Sequence, residues 1–328
     1  NSEHLKAMID DLLETTRAET GKLVVEPRRT DAGRLAAEVA AEKRLAADQR
    51  GVRLACEAPA APFVFADPVR VRQVLMNFVD NALKFTPSGG TVSIACAVGA
   101  ADPGKVTVSV TDTGPGLPPD DCRRIFDRLY QARDVRPLGG ERKGLGLGLY
   151  ISREIVLRSG GRIWVESEPG KGASFRFTLP QFRFEQVVAP AVSRGARRAA
   201  VAFVELYPPS HGMAEGSART VRLECAALLR RQAREGESLL PEMSPPGAEG
   251  MLVYVQREPS DSGAALAERL QGLVSGVRVV SLHRLKPSVQ AAAVEAGAAG
   301  LSAALESAIE GRLGERLASA RESGVVGT

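Results

Sequence analysis

The stretch Asp67–Gly90, DPVRVRQVLMNFVDNALKFTPSGG, decides how the rest of the chain is read. Asp67-Pro68 is a helix start: a side-chain acceptor at the cap, then a proline whose fixed φ suits the first turn. Val71, Val74, Leu75, Phe78, Val79 and Ala82 recur at helical spacing and predict one apolar face. At ~100° per residue, Arg70, Asn77, Asn81 and Lys84 fall on a neighbouring stripe. Two carboxamides and a cation beside a core-facing stripe suit a metal and phosphates, because amide oxygens ligate Mg²⁺ and Lys84 balances phosphate charge. Phe85 offers a flat face to a base. Taken alone, the same pattern also fits an ordinary amphipathic helix with a solvated polar side.

Working upstream, Leu5, Met8, Ile9, Leu12 and Leu13 form a narrow stripe of the kind found on bundle helices, too short to be stable alone. Thr20-Gly21 ends that helix, and KLVVEP (22–27) reads as a short strand. Asp31 caps a second helix running through Leu35, Val39 and Leu45 to Gly51. VRLACEA and PFVFAD are strand-like and lead into the Asp67 helix. Downstream, TVSIACAV and KVTVSVTD alternate apolar and polar residues as a strand pair, with a turn at Asp102-Pro103-Gly104.

Asp112-Thr113-Gly114-Pro115-Gly116 then makes a tight loop at a strand end. A carboxylate there can accept the exocyclic amine of adenine, and glycines let backbone approach a ligand; an ordinary turn has the same composition. Ile125–Tyr130 reads as a short helical piece, and Gln131–Lys143 as a polar, glycine-rich mobile loop. Gly144-Leu145-Gly146-Leu147-Gly148-Leu149 opens a helix through Ile151, Ile155 and Val156, and glycines ahead of a helix N-terminus make a phosphate cradle. RIWVESEPGKGASFRFTLP closes the domain as a hairpin around Gly170-Lys171-Gly172.

Composition bounds the class. The 328 residues suit about two domains. Hydrophobic residues at 44% and charged residues at 25% describe an ordinary globular protein. With 43 basic against 39 acidic residues spread along the chain, and no basic tract interleaved with aromatics, nucleic-acid binding is not expected. Cys56, Cys96, Cys122 and Cys225 show no CxxC spacing, so neither a metal site nor a disulfide framework is indicated and a reducing cytoplasm fits. No apolar run reaches the ~18 residues of a membrane span, so no membrane contact is expected within the chain. The chain begins at Asn1 inside a helical pattern and reads as a fragment.

In combination these boxes resemble the catalytic ATP-binding domain of sensor histidine kinases, the Bergerat fold shared with gyrase, Hsp90 and MutL. NFVDNALKFTP is similar to that family's asparagine box, DTGPGLP and GLGLGLYISREIV to its two glycine boxes, IFDRLYQ to its phenylalanine box, and PGKGASFRFTLP to its last. The resemblance covers about residues 1–180. It implies an α+β fold, a two-layer α/β sandwich, with ATP and Mg²⁺ as cofactors. By position it implies Asn81 as the Mg²⁺ ligand assisted by Asn77, Lys84 on the phosphates and Phe85 on adenine. Asp112 would read the adenine amine, Gly114 and Gly116 would shape that pocket, and Gly144, Leu145, Gly146 and Gly148 would line the phosphates under a lid at 131–143. Asn77 and Lys84 are the candidate catalytic residues. ATPases of this fold carry a glutamate where Asn77 stands, and an amide cannot activate water.

The family's phosphoacceptor is a histidine followed by Glu and, a few residues on, Pro. Ser2-Glu3-His4-Leu5-Lys6 is only superficially similar: Glu precedes His4 and no proline follows within the helix. Residues 1–22 instead resemble the end of the second helix of a dimerisation hairpin, and His211 and His283 lie far from the kinase boxes. The domains expected are therefore 1–22 (hairpin end), 23–180 (catalytic ATP-binding domain), 181–198 (a linker without periodic signal) and 199–328. The resemblance implies a cytoplasmic protein-histidine kinase, with membrane anchorage possible only upstream. Its partners would be a response regulator and a second copy joined through the whole hairpin. The alternative is a non-catalytic ATP-binding scaffold.

In residues 199–328 the reading is strand (AVAFVELY), helix (220–234), strand (ESLLPEM), strand (MLVYVQ), helix (263–274), strand (VRVVSLH), then a helical stretch over 287–313. That order predicts a ferredoxin-like sheet. It is faintly similar to the nucleotidyl-cyclase domain of diguanylate cyclases, but PEMSPPGAEGM lacks that family's catalytic hairpin and only Glu205 remains of its metal-binding acids. A receiver domain competes, without a receiver's acidic pair or phosphorylatable aspartate. The expectation is a degenerate α/β module, regulatory in role.

Overall fold

A computed structural model of the chain describes residues 12–57, 63–98, 102–132, 145–188, 192, 196–207, 215–241, 250–259, 263–277, 280, 285–296 and 300–322. It divides into two units, Asn1–Phe182 and Arg183–Thr328. His4, His211 and His283, Gly144 and all but the first two residues of the expected lid fall outside the described residues.

The first unit is built on a five-stranded sheet in the order β2 (Arg53–Glu57), β4 (Thr91–Val98), β5 (Lys105–Asp112), β7 (Ala173–Pro180), β6 (Ile163–Ser167). The β2–β4 pair is parallel and the others antiparallel. Helices α2 (Ala32–Gln49), α3 (Pro68–Phe85) and α5 (Gly148–Arg158) pack on this sheet. Alternation in β4 and β5 buries Val92, Ile94, Cys96, Val106, Val108 and Val110 against them. The result is the α+β two-layer sandwich expected from the sequence.

Two aspartates pin the entry of the helices. Asp31 caps α2 by accepting from Arg34 N at 2.9 Å. Asp67 Oδ1 accepts from Val69 N (3.0 Å) and Arg70 N (3.4 Å), while its Oδ2 accepts from Glu26 N at 3.0 Å. The predicted apolar face of α3 is the buried one, and Phe78 fits between Phe175 and Phe177, with ring centroids 5.4 and 5.8 Å away. Burying a side chain of this size contributes roughly 1.5–3 kcal/mol.

Residues 12–19 are helical (α1) and turn Thr15 and Ala18 inward, leaving Leu12 and Leu13 exposed. The carboxylate of Glu14 is gripped by Arg70 and Gln73 of α3, and Arg158 of α5 donates to Ala18 O at 2.8 Å. Two local readings are corrected. The ladder near residue 25 is β1 (Arg28–Thr30), paired with β3 (Val64–Ala66), not KLVVEP, in which Val24 is exposed. The helical piece near the phenylalanine box is α4 (Pro119–Arg124), and residues 125–129 are turn, because Leu129 takes a left-handed φ of 60° that no helix accepts.

The second unit opens with a short helix, α6 (Phe184–Val188), whose Phe184 and Val188 are buried, where the sequence reads as linker. Its sheet follows the order β11 (Ser288–Glu295), β8 (Arg198–Glu205), β10 (Met251–Arg257), β9 (Glu237–Leu239), antiparallel throughout. With α7 (Glu215–Arg231) and α8 (Ala264–Ser275), this is the β-α-β-β-α-β order of a ferredoxin-like sheet. A receiver is wound on a parallel sheet, so its rhythm here is coincidental. Most of the expected strand VRVVSLH (277–283) lies outside the described residues; the strand that completes the sheet is SVQAAAVE, read as helix from the sequence, and the terminal helix α9 (Leu301–Glu322) starts later than expected.

Candidate functional site

A cavity of about 250 Å³ opens between α3, the β5–α4 loop and the start of α5. Of the predicted residues, Asn77, Asn81, Lys84, Phe85, Asp112, Gly116, Leu145, Gly146 and Gly148 line it. Gly114 sits behind the wall, donating its N–H to Asp112 Oδ1 at 2.8 Å. The helical spacing places Asn77, Asn81 and Lys84 on the cavity side of α3, and Thr86 stops the helix beyond Phe85 by bonding Ala82 O through Oγ1 at 2.7 Å. Sequence reading missed the apolar floor, which includes Leu117, Ile125, Leu147, Ala173 and Phe175. Single apolar residues scattered over four elements carry no local signal.

The two ends of the cavity differ in chemistry. Asp112, the last residue of β5, is buried, and burial pushes its carboxyl above the usual range against the opposing pull of the Gly114 and Ala173 backbone N–H groups. A buried acceptor beside an apolar floor suits the amine of a flat base. At the other end stand two carboxamides and the first turn of α5, whose backbone N–H groups favour anions; the Lys84 ammonium also lines the cavity, 5.8 Å from the centre of the Phe85 ring.

The glycines at that end make room. Gly146 has φ 72°, and a Cβ on it would lie 2.6 Å from Tyr130 O; its own carbonyl accepts from Leu129 N at 3.1 Å. A Cβ on Gly148 would come within 2.5 Å of Asn77 Oδ1. A side chain at 148 would therefore displace the Asn77 carboxamide from its place beside α5. The donor set suits a hard divalent cation: the neutral amide oxygen of Asn81, assisted by Asn77, with charge left for phosphates to supply.

Residues 66–183 match the family of histidine kinase-, DNA gyrase B- and HSP90-like ATPases, and the chain carries a histidine kinase-type ATP-binding domain there. The adaptive-response sensory kinase SasA of Trichormus variabilis is 41% identical over 177 residues, covering 53% of this chain and 42% of that protein. SasA of Parasynechococcus marenigrum is 42% identical over 184 residues, 54% and 45% of the two chains. The chain thus spans less than half the length of these curated relatives. Among solved structures, full-length ShkA in complex with AMPPNP is 34% identical over 54% of this chain and 36% of its own, with a TM-score of 0.48. The nucleotide-free catalytic domain of histidine kinase ThkA is 29% identical over 48% and 96%, with a TM-score of 0.41. The family match, residues 66–183, falls on the first unit but for its last residue. Among the described residues, no helix is long and apolar enough to cross a membrane.

Proposed function

We propose that the first unit binds ATP with Mg²⁺ and presents the γ-phosphate to a histidine supplied by another segment or chain, as the catalytic part of a two-component sensor kinase. The observation that carries this reading is the cavity's lining, with Asp112 beside an apolar floor, Asn77 and Asn81 beside the α5 N-terminus, and Lys84 on the same wall. Asp112 accepts the adenine amine, and the apolar floor and Phe85 take the ring. Asn81, assisted by Asn77, would hold Mg²⁺, which when bound neutralises phosphate charge. Lys84 and the N–H groups from Gly146 onward hold the phosphate oxygens. Positioning and charge neutralisation do most of the work in such transfers. From the whole protein the phosphate would pass to an aspartate of a response regulator, in a cytoplasmic homodimer joined through the hairpin. The second unit would regulate.

Asn77 separates kinase from ATPase. Its Nδ2 donates to Ser152 Oγ at 2.9 Å, and an amide so held has no basic site for water. Intrinsic ATP hydrolysis is therefore expected to be slow, and Asn77→Glu to raise it. Vigorous hydrolysis by the unaltered chain, abolished by Asn81→Ala, would overturn the kinase reading. A second reading is an ATP-binding scaffold. Phosphotransfer to a supplied hairpin bearing a His-Glu-x-x-x-Pro pattern separates the two.

A further inference from the structure

A carboxamide can turn either its oxygen or its nitrogen toward a cation, and only the oxygen binds. Nothing in Asn81 itself chooses between them. The choice is made by a hydrogen-bond chain running behind the cavity wall, and it starts at a group with no ambiguity. Ser152, one turn into α5, is 2% exposed and does not line the cavity. Its Oγ lies 2.9 Å from the carbonyl oxygen of Gly148. A carbonyl can only accept, so the single hydroxyl proton of Ser152 is committed there.

Ser152 Oγ is then left with acceptor capacity alone, and the Asn77 amide that meets it at 2.9 Å must present Nδ2. That turns Asn77 Oδ1 the other way, into the space that glycine at 148 leaves open. There it accepts from Asn81 Nδ2, at a longer 3.5 Å. With its nitrogen drawn toward Asn77, Asn81 directs Oδ1 away from it.

We infer that Ser152 is a positioning residue that fixes the donor and acceptor sense of the chain Gly148–Ser152–Asn77–Asn81, so that Asn81 offers oxygen to the divalent cation accompanying the nucleotide. The inference rests on Asn81 being the cation ligand, as proposed above. A serine bonded to the carbonyl four residues back is a common helix feature, and a purely structural one would alter stability without touching cation dependence. Residues that orient metal ligands typically change metal affinity by about 10–100-fold when removed.

The test uses the whole 328-residue chain and compares Ser152→Thr with Ser152→Val, two side chains of one shape that differ in the hydroxyl. Calorimetric titration with ADP, in EDTA and in Mg²⁺, gives for each protein the factor by which magnesium tightens binding. The threonine variant is expected to keep the wild-type factor. The valine variant is expected to lose at least about tenfold of it, with ADP affinity in EDTA unchanged. Ser152→Ala, which adds no bulk, should behave as valine does and serves if valine does not fold. A factor equal in all variants would overturn the inference while leaving the nucleotide site standing. So would a factor that follows size, lost in threonine and valine but kept in alanine. Asn81→Ala separates the two claims: a magnesium factor that survives there removes the proposed ligand, and this inference with it.

Discussion

Both units bury polar groups, but they use them differently. In the second unit, buried charges close on one another. Glu237, its side chain 3% exposed, accepts from Arg234 N at 2.9 Å, is held by Arg269 at 2.5 Å and accepts from Tyr254 Oη at 3.0 Å; burial alone would raise its pKa, and these three contacts, the Arg234 N–H foremost, lower it. The phenol is pushed up to about 12 by burial and by Glu237. Glu205, the last residue of β8, is paired with the buried Arg316, which also donates to Tyr207 O at 2.9 Å. In the first unit Asp112 and the two asparagines are half-satisfied from behind and open onto a cavity. The contrast separates polar burial that stabilises from polar burial that waits for a ligand.

The largest effect expected from breaking the contrast is in the second unit. Arg269→Ala leaves Glu237 buried without its counter-charge, with only the Arg234 N–H and the Tyr254 hydroxyl as donors, and should cost about 3 kcal/mol in denaturant titration. ADP binding should not change. If it weakened, the two units would not be functionally separate.

Asp112→Asn should act in the opposite sense. It removes the charge that burial disfavours, so the melting temperature of the free protein should hold or rise, while the charge-assisted contact to the base, about 1.5–3 kcal/mol, is lost from ADP affinity. The pH dependence follows the same group. The folded state holds this proton more tightly than the unfolded chain, so its contribution to stability is full below the unfolded pKa and is lost as pH rises through the raised folded value. ADP affinity runs the other way, falling as pH drops through that raised value. Flat affinity across this range would remove Asp112 from base recognition. The smallest effect is expected at α1: Glu14→Ala should cost about 1 kcal/mol, since the contact with Arg70 and Gln73 is partly exposed.

How much of this was legible depended on whether local chemistry and tertiary packing agreed. In α3 they do: Asp67-Pro68 caps it, the apolar face is periodic, and the same periodicity carries Asn77, Asn81 and Lys84 to one side. In β11 they conflict. SVQAAAVE is alanine-rich and reads as helix, yet eight consecutive residues pair with β8, and its outward positions are exposed. A neighbouring strand overrides weak intrinsic preference. Leu129 is a similar case, since its left-handed φ comes with the bond to Gly146 across a gap in sequence. Ser152 had a signal that could have been used: it is a polar residue between Ile151 and Ile155, on the face that α5 buries.

The most direct test of the central claim is calorimetric titration of the chain with ADP, with and without Mg²⁺, beside Asn81→Ala. The account predicts binding that magnesium tightens, and a variant that stays folded but loses the tightening. Absence of ADP binding to the folded chain would contradict it, leaving the asparagine and glycine boxes as a relic of a nucleotide site.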